Sequence, residues 1–182
     1  MRHQYQAEQW LPFPVEVVFA FFANPENLPR LMPEWQKTRI EAASFASPPP
    51  RPAISARFLD VAAGAGTRMT MSFLPFPYAP VRVQWDAEIT EFVWNDHFCD
   101  VQHRGPFQYW RHCHRIAPEM RKRSNGAVAG GTLLRDLVEY ELPFGPFGDI
   151  ANKLLARPQM KSIFDYRHKR TADLLAHQHA TV

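Results

Sequence analysis

Apolar and polar positions alternate most regularly along two runs that flank a basic, glycine-bearing connection, Arg121-Lys122-Arg123-Ser124-Asn125-Gly126. The first run, Gly105-Pro106-Phe107-Gln108-Tyr109-Trp110-Arg111-His112-Cys113-His114-Arg115-Ile116, puts Trp110, His112, His114 and Ile116 on one face and Arg111 and Arg115 on the other. In the second, Leu134, Asp136, Val138, Tyr140 and Leu142 share a face opposite Arg135, Glu139 and Glu141. Alternation on both sides of a turn-forming segment predicts a long β-hairpin. Folded about Asn125, it sets His114 opposite Asp136 and Trp110 opposite Tyr140. The inner wall then carries aromatic rings, imidazoles and a carboxylate.

The rest of the chain reads in order from its N-terminus. Residues 5–11 alternate weakly and stop at Pro12, which predicts a first strand. Pro14 suits a first helical turn and Asn24-Pro25 a stop, so residues 14–23 predict a short buried helix, and residues 26–31 a second one. Residues 35–45 alternate as a strand, and the proline run 48–52 cannot donate ladder hydrogen bonds and must lie outside the sheet or at its edge. Residues 54–61 fit either a strand or an irregular insertion. In residues 67–74, Met69, Met71 and Phe73 share a face. Val81, Val83, Trp85, Ala87 and Ile89 do the same in the most regular amphipathic strand of the chain, and residues 98–103 predict a shorter one. Beyond Gly148, apolar residues including Ile150, Leu154, Phe164 and Leu175 recur at helical spacing. Asp149 is placed to cap that helix, which runs to about residue 176, and Pro158 to kink or divide it. A curved antiparallel sheet with one apolar face needs a cover, and this last helix is the element long enough to supply it. Between them a cavity is expected, in a single α+β domain spanning residues 1–182.

Composition narrows the function. A chain of 182 residues, 46% hydrophobic and 13% aromatic, can build a sizeable core. Its formal net charge of +3 comes from basic residues spread along the sequence, not gathered into a stripe, so no nucleic-acid partner is expected. The triplet Arg121-Lys122-Arg123 reads as a solvated hairpin tip. No apolar leader follows Met1, and the most apolar run, residues 15–23, is far too short for a membrane span. With only Cys99 and Cys113, there is no disulfide framework, and a reduced, cytoplasmic protein is expected, as a monomer or weak homodimer.

The order of elements carries a family resemblance, together with Asn24-Pro25-Glu26-Asn27-Leu28-Pro29, the run from Gly105 to Arg115, and Gly131-Thr132…Asp136…Val138-Glu139-Tyr140-Glu141-Leu142-Pro143-Phe144-Gly145. The chain resembles the START-like (SRPBCC, helix-grip) superfamily, and within it the bacterial ligand-binding members labelled polyketide cyclase/dehydrase-like. The similarity spans residues 5–175 and is weakest over residues 44–63. It implies a curved antiparallel sheet gripping a long C-terminal helix around a deep apolar cavity. Members include lipid and ubiquinone binders, aromatase/cyclases, dioxygenase subunits and stress-related ligand carriers, so the likeness specifies a pocket more closely than a reaction.

On these grounds the expected ligand-binding residues are Met69, Met71, Phe73, Trp85, Trp110, His112, His114, Asp136, Tyr140, Phe144 and Phe164. The expected ligand is a hydrophobic or aromatic small molecule: a lipid, a quinone or a polyketide-like compound. Two alternatives stand beside binding. One is a cyclase, dehydratase or isomerase in which His114 is the acid/base and Asp136 orients it. The other is a partner-docking protein that uses Phe76, Tyr78, Phe144 and Phe147, which are also suited to be lips of the cavity. The His112-x-His114 spacing puts two imidazoles on one face, as metal ligands require, with His97, His103 or Asp136 as possible thirds. The sequence favours instead a hydrogen-bonded polar network, with no metal or cofactor. Cys113 faces away from the histidines, which argues against a Cys-His dyad.

Overall fold

The computed structural model describes residues 1–53, 61–122, 124 and 126–179. The undecided segment 54–61 therefore lies outside the described residues except for Val61, as do Arg123 and Asn125 of the predicted turn. Among the described residues, seven antiparallel strands form one sheet: β1 (Arg2–Leu11), β2 (Arg39–Ser44), β3 (Arg68–Phe73), β4 (Val83–Val93), β5 (His97–Arg104), β6 (Tyr109–Lys122) and β7 (Val128–Glu141). Their spatial order is β1-β7-β6-β5-β4-β3-β2, so the N-terminal strand closes against the last one. Shifts of register between Asp86 and Ala87 and between Ile89 and Glu91 bend β4. Among the described residues, no helix is long and apolar enough to cross a membrane.

Helix α1 (Val15–Ala23) starts where the Pro14 carbonyl accepts from the Val17 and Val18 amides, at 3.1 and 3.2 Å. It ends at Asn24, whose side chain accepts from the Glu26 amide at 3.0 Å and opens a 3-10 turn over Pro25–Asn27. Val17, Val18, Phe19, Ala20, Phe21 and Ala23 are all buried, so beyond Glu16 in its first turn the helix is apolar on every side, because protein surrounds it. Each large side chain buried there contributes about 1.5–3 kcal/mol of transfer free energy. A short helix, α2 (Leu28–Leu31), follows.

Two of the boundaries that differ from the sequence expectation have a local cause. The strand expected over residues 35–45 begins only at Arg39, because Glu34–Gln36 form a 3-10 turn that ends with Lys37 at φ 47°. Gln36 is 1% exposed, and its carbonyl accepts from the Leu74 amide at 2.8 Å, which anchors that turn under the sheet. At the other end, Asp149 is not a cap: α3 (Gly148–Ala151) starts one residue earlier, without a side-chain cap.

The C-terminal helix is continuous and is not divided by Pro158. A π-helical turn over Asn152–Ala156 joins α3 to α4 (Arg157–His179). Proline cannot donate to the carbonyl four residues back and its ring collides with it; the wider turn just before Pro158 relieves both conflicts.

Two apolar clusters hold these layers together. One joins α1 to the sheet and the end of α4, through Leu11, Phe19, Phe92, Phe98, Ile116 and Leu175. The second joins α4 to β7 through Val138, Tyr140, Leu142, Met160 and Phe164. Members of both clusters line one cavity between sheet and helix.

Candidate functional site

The hairpin β6–β7 has the register that turn symmetry predicts: His114 pairs with Asp136 and Trp110 with Tyr140. Alternation then sends His112 and His114 inward, where their ring centroids are 4.1 Å apart. Asp136 is 3% exposed, and its Oδ1 serves both rings. His112 Nε2 is hydrogen-bonded to it at 2.9 Å. His114 Nδ1 is closer, at 2.7 Å, but outside hydrogen-bond geometry, so this contact is an ion-pair approach.

Strand β5 adds a residue that the reading of the sequence missed. Asp100 pairs with His112 in the ladder, and its Oδ2 lies 3.8 Å from His112 Nδ1. The side chain is deep in the molecule yet 23% exposed, because it faces the cavity. The signal was in the chain: folding residues 98–116 about Gly105-Pro106 brings Asp100 opposite His112, just as Asn125 brings Asp136 opposite His114. His97 and His103, considered as third metal ligands, lie elsewhere, beside Asp96 and Glu88 respectively.

Burial governs the electrostatics of this corner. It pushes the Asp100 carboxyl up, against the opposing pull of His112, Arg167 and a hydrogen bond from Trp110. It pushes His112 down, and the neighbouring His114 adds to the effect. For Asp136 burial acts upward as well, but His114 and His112 outweigh it and hold the carboxyl well below the usual range. Asp136 is thus a fixed anion between two imidazoles.

The cavity measures about 390 Å³. Met69, Met71, Phe73, Trp85, Trp110, His112, His114, Phe144 and Phe164 all line it. Asp136 and Tyr140 do not: they stand behind the wall, Tyr140 fully buried and donating its hydroxyl hydrogen to Asn152. Lining residues that the sequence left out include Phe22, Leu31, Phe98, Phe107 and Arg167. Phe22 falls in the helix expected to be buried, and nothing in periodicity separates core from cavity wall. Trp85 packs edge-on against Trp110 at 4.9 Å, and Phe164 of α4 closes over His112 at 5.8 Å.

The mouth lies where Pro75, Phe144, Leu155 and Gln159 meet. Gln159 Nε2 donates to the Pro75 carbonyl at 2.6 Å, which ties α4 to the β3–β4 loop. Phe76, Tyr78, Phe144, Phe147, Leu154 and Leu155 are all exposed, and Phe144 and Leu155 reach the cavity. On the opposite face of the sheet, Cys99 and Cys113 are directly paired across β5–β6 and form a disulfide. That corrects the expectation of two reduced thiols, and its cause is again the Pro106 turn, which sets the two cysteines in register.

A family model described as "Polyketide cyclase / dehydrase and lipid transport" matches residues 11–162. No curated protein sequence matches the chain. Among solved structures, TTHA0849 from Thermus thermophilus is similar at 19% identity and a TM-score of 0.60, over 94% of this chain and 99% of that one. CV1439 from Chromobacterium violaceum is similar at 17% identity and a TM-score of 0.61, over 94% and 96%. Norcoclaurine synthase from Thalictrum flavum is similar at 13% identity and a TM-score of 0.57, over 93% and 86%. At these identities the three structures speak for the fold alone. The sheet, the gripped helix and a family match over most of the chain lead to one assignment: this protein belongs to the polyketide cyclase/dehydrase and lipid transport family, within the START-like (SRPBCC) superfamily.

Proposed function

We propose that the protein binds one hydrophobic or aromatic small molecule of the lipid, quinone or polyketide-like class between the sheet and the C-terminal helix. The observation that carries this reading is the cavity of about 390 Å³, walled by methionine and aromatic side chains and polar at one corner. Its size falls within the range of about 300–1,000 Å³ over which proteins enclose small molecules. Apolar contact supplies the affinity. Asp100, His112, His114 and Arg167 orient the one polar end that such a ligand carries. The exposed lips Phe144 and Leu155 form the entry. Family membership supports hydrophobic ligand binding in general terms.

We read the protein further as a monomer or weak homodimer without a nucleic-acid partner, in keeping with its dispersed charge. Cytoplasmic placement goes with this reading, with the Cys99–Cys113 bridge as an exception to the rule that cytosolic thiols stay reduced.

The test is mass spectrometry of the purified protein, native and then after solvent extraction. One apolar species per chain is expected, with saturable quenching of Trp85 and Trp110 fluorescence when it is added back. A protein that carries nothing and shows no saturable quenching with lipids, quinones or polycyclic aromatics would sink the proposal. Conversion of the added molecule to a product would move the assignment from carrier to enzyme.

A further inference from the structure

We propose that Asp100, His112 and His114 form a binding site for one divalent transition-metal ion, of the Zn2+ kind, in the polar corner of the cavity. One donor atom from each residue lies within 4.8 Å of the others. The arrangement of ring nitrogens makes this a site and not merely a cluster. Asp136 engages His112 Nε2 and His114 Nδ1, which leaves His112 Nδ1 and His114 Nε2 as the remaining donors. Asp100 Oδ2 stands 3.8 Å from that His112 nitrogen. This is too long for a hydrogen bond. It is close to the spacing of two ligands on one ion, since bond lengths of about 2.0–2.2 Å at a tetrahedral angle separate donors by roughly 3.4 Å.

A buried carboxylate behind the imidazoles is the arrangement that fixes the orientation of metal-binding histidines and raises their basicity. Asp136 holds the His112 ring by a hydrogen bond and approaches the His114 ring at 2.7 Å. Two imidazoles and one carboxylate suit zinc and its transition-metal neighbours better than magnesium or calcium, which take oxygen donors. Three protein donors also leave a coordination position open toward the cavity, where the ion would meet an oxygen of the bound molecule. The competing arrangement is that Arg167 and Trp110 alone satisfy Asp100. The proposal stands apart from the identity of the organic ligand, because it is tested with the metal alone.

The experiment strips the purified 182-residue chain with a chelator and titrates it with Zn2+, and separately with Co2+. One Zn2+ per chain is expected. Co2+ should give the strong visible absorption of a low-coordinate site. The Asp100→Asn variant should bind Zn2+ at least roughly tenfold more weakly while unfolding at the same temperature as the metal-free parent. Absence of stoichiometric binding by the folded protein overturns the proposal, and so does equal Zn2+ affinity in Asp100→Asn, which would show that Asp100 is not a ligand. Should that variant fail to fold, the Co2+ spectrum decides: the weak absorption of a six-coordinate surface ion also overturns the site.

Discussion

Asp136 is the residue on which the inner wall depends, since its Oδ1 meets two buried imidazoles. Replacing it by alanine leaves both without their carboxylate, and a loss of about 3 kcal/mol is expected. Urea unfolding measures it, and a loss below about 1 kcal/mol would show that the network is not a stabilising one. His168 on α4 contributes a pH effect of definite sign. Burial lowers its folded pKa, and Nε2 has no hydrogen-bond partner. The unfolded chain therefore takes up the proton first. Its contribution to stability is full above the unfolded pKa of about 6.5 and is lost as pH falls through the lower folded value. His168→Leu should flatten the decline in stability on this acid side, while His112, shifted the same way, keeps part of the slope. Unfolding midpoints measured across pH 7 to 5 would show an unchanged slope if His168 were not involved. The Cys99–Cys113 bridge closes a loop whose ends are 14 residues apart, a length for which reduction costs about 3 kcal/mol. Alkylation of the denatured protein without reductant should leave both sulfurs unlabelled, and labelling of both would restore the expectation of a reduced pair.

At the scale of elements, the β1–β7–β6 seam is held by a contact that periodicity does not reveal. Trp10 of β1 reaches across β7 and donates from Nε1 to the Glu119 carbonyl of β6 at 3.2 Å. It passes over Gly131, where a Cβ would lie 2.5 Å from both the Trp10 ring and the Leu11 carbonyl. Gly131→Ala should therefore destabilise by about 1–3 kcal/mol, seen as a lower thermal midpoint, and a neutral result would mean that β1 shifts freely on β7. How far each element was legible follows from what set it. The β6–β7 register could be read because a single turn fixed it and one face had to be buried. Asp100 was as accessible by the same folding about Pro106, but an aspartate in a short strand gave no periodic signal to draw attention to it. The start of β2 and the behaviour of Pro158 were not legible. The first depends on where Gln36 is buried, the second on whether a helix can widen by one residue without losing its contacts.

For the whole molecule, ligand capacity depends on the cavity and not on any single polar group. Filling it with Met71→Trp should reduce binding of the extracted ligand at least tenfold with the fold retained, since about 1.4 kcal/mol of lost affinity already corresponds to a factor of ten. Fluorescence titration and circular dichroism together read both quantities, and undiminished binding would place the ligand elsewhere. The sequence by itself determined the order of elements, the alternation that puts Met69, Met71, Trp85, Trp110, His112 and His114 on one face, and the pairing of His114 with Asp136, because local periodicity and turn chemistry are sufficient causes of each. Only the tertiary structure decided that Asp136 and Tyr140 stand behind the wall and that the apolar face encloses space. Those outcomes depend on how the sheet curves and how far away the helix packs, distances set by all the side chains between them at once.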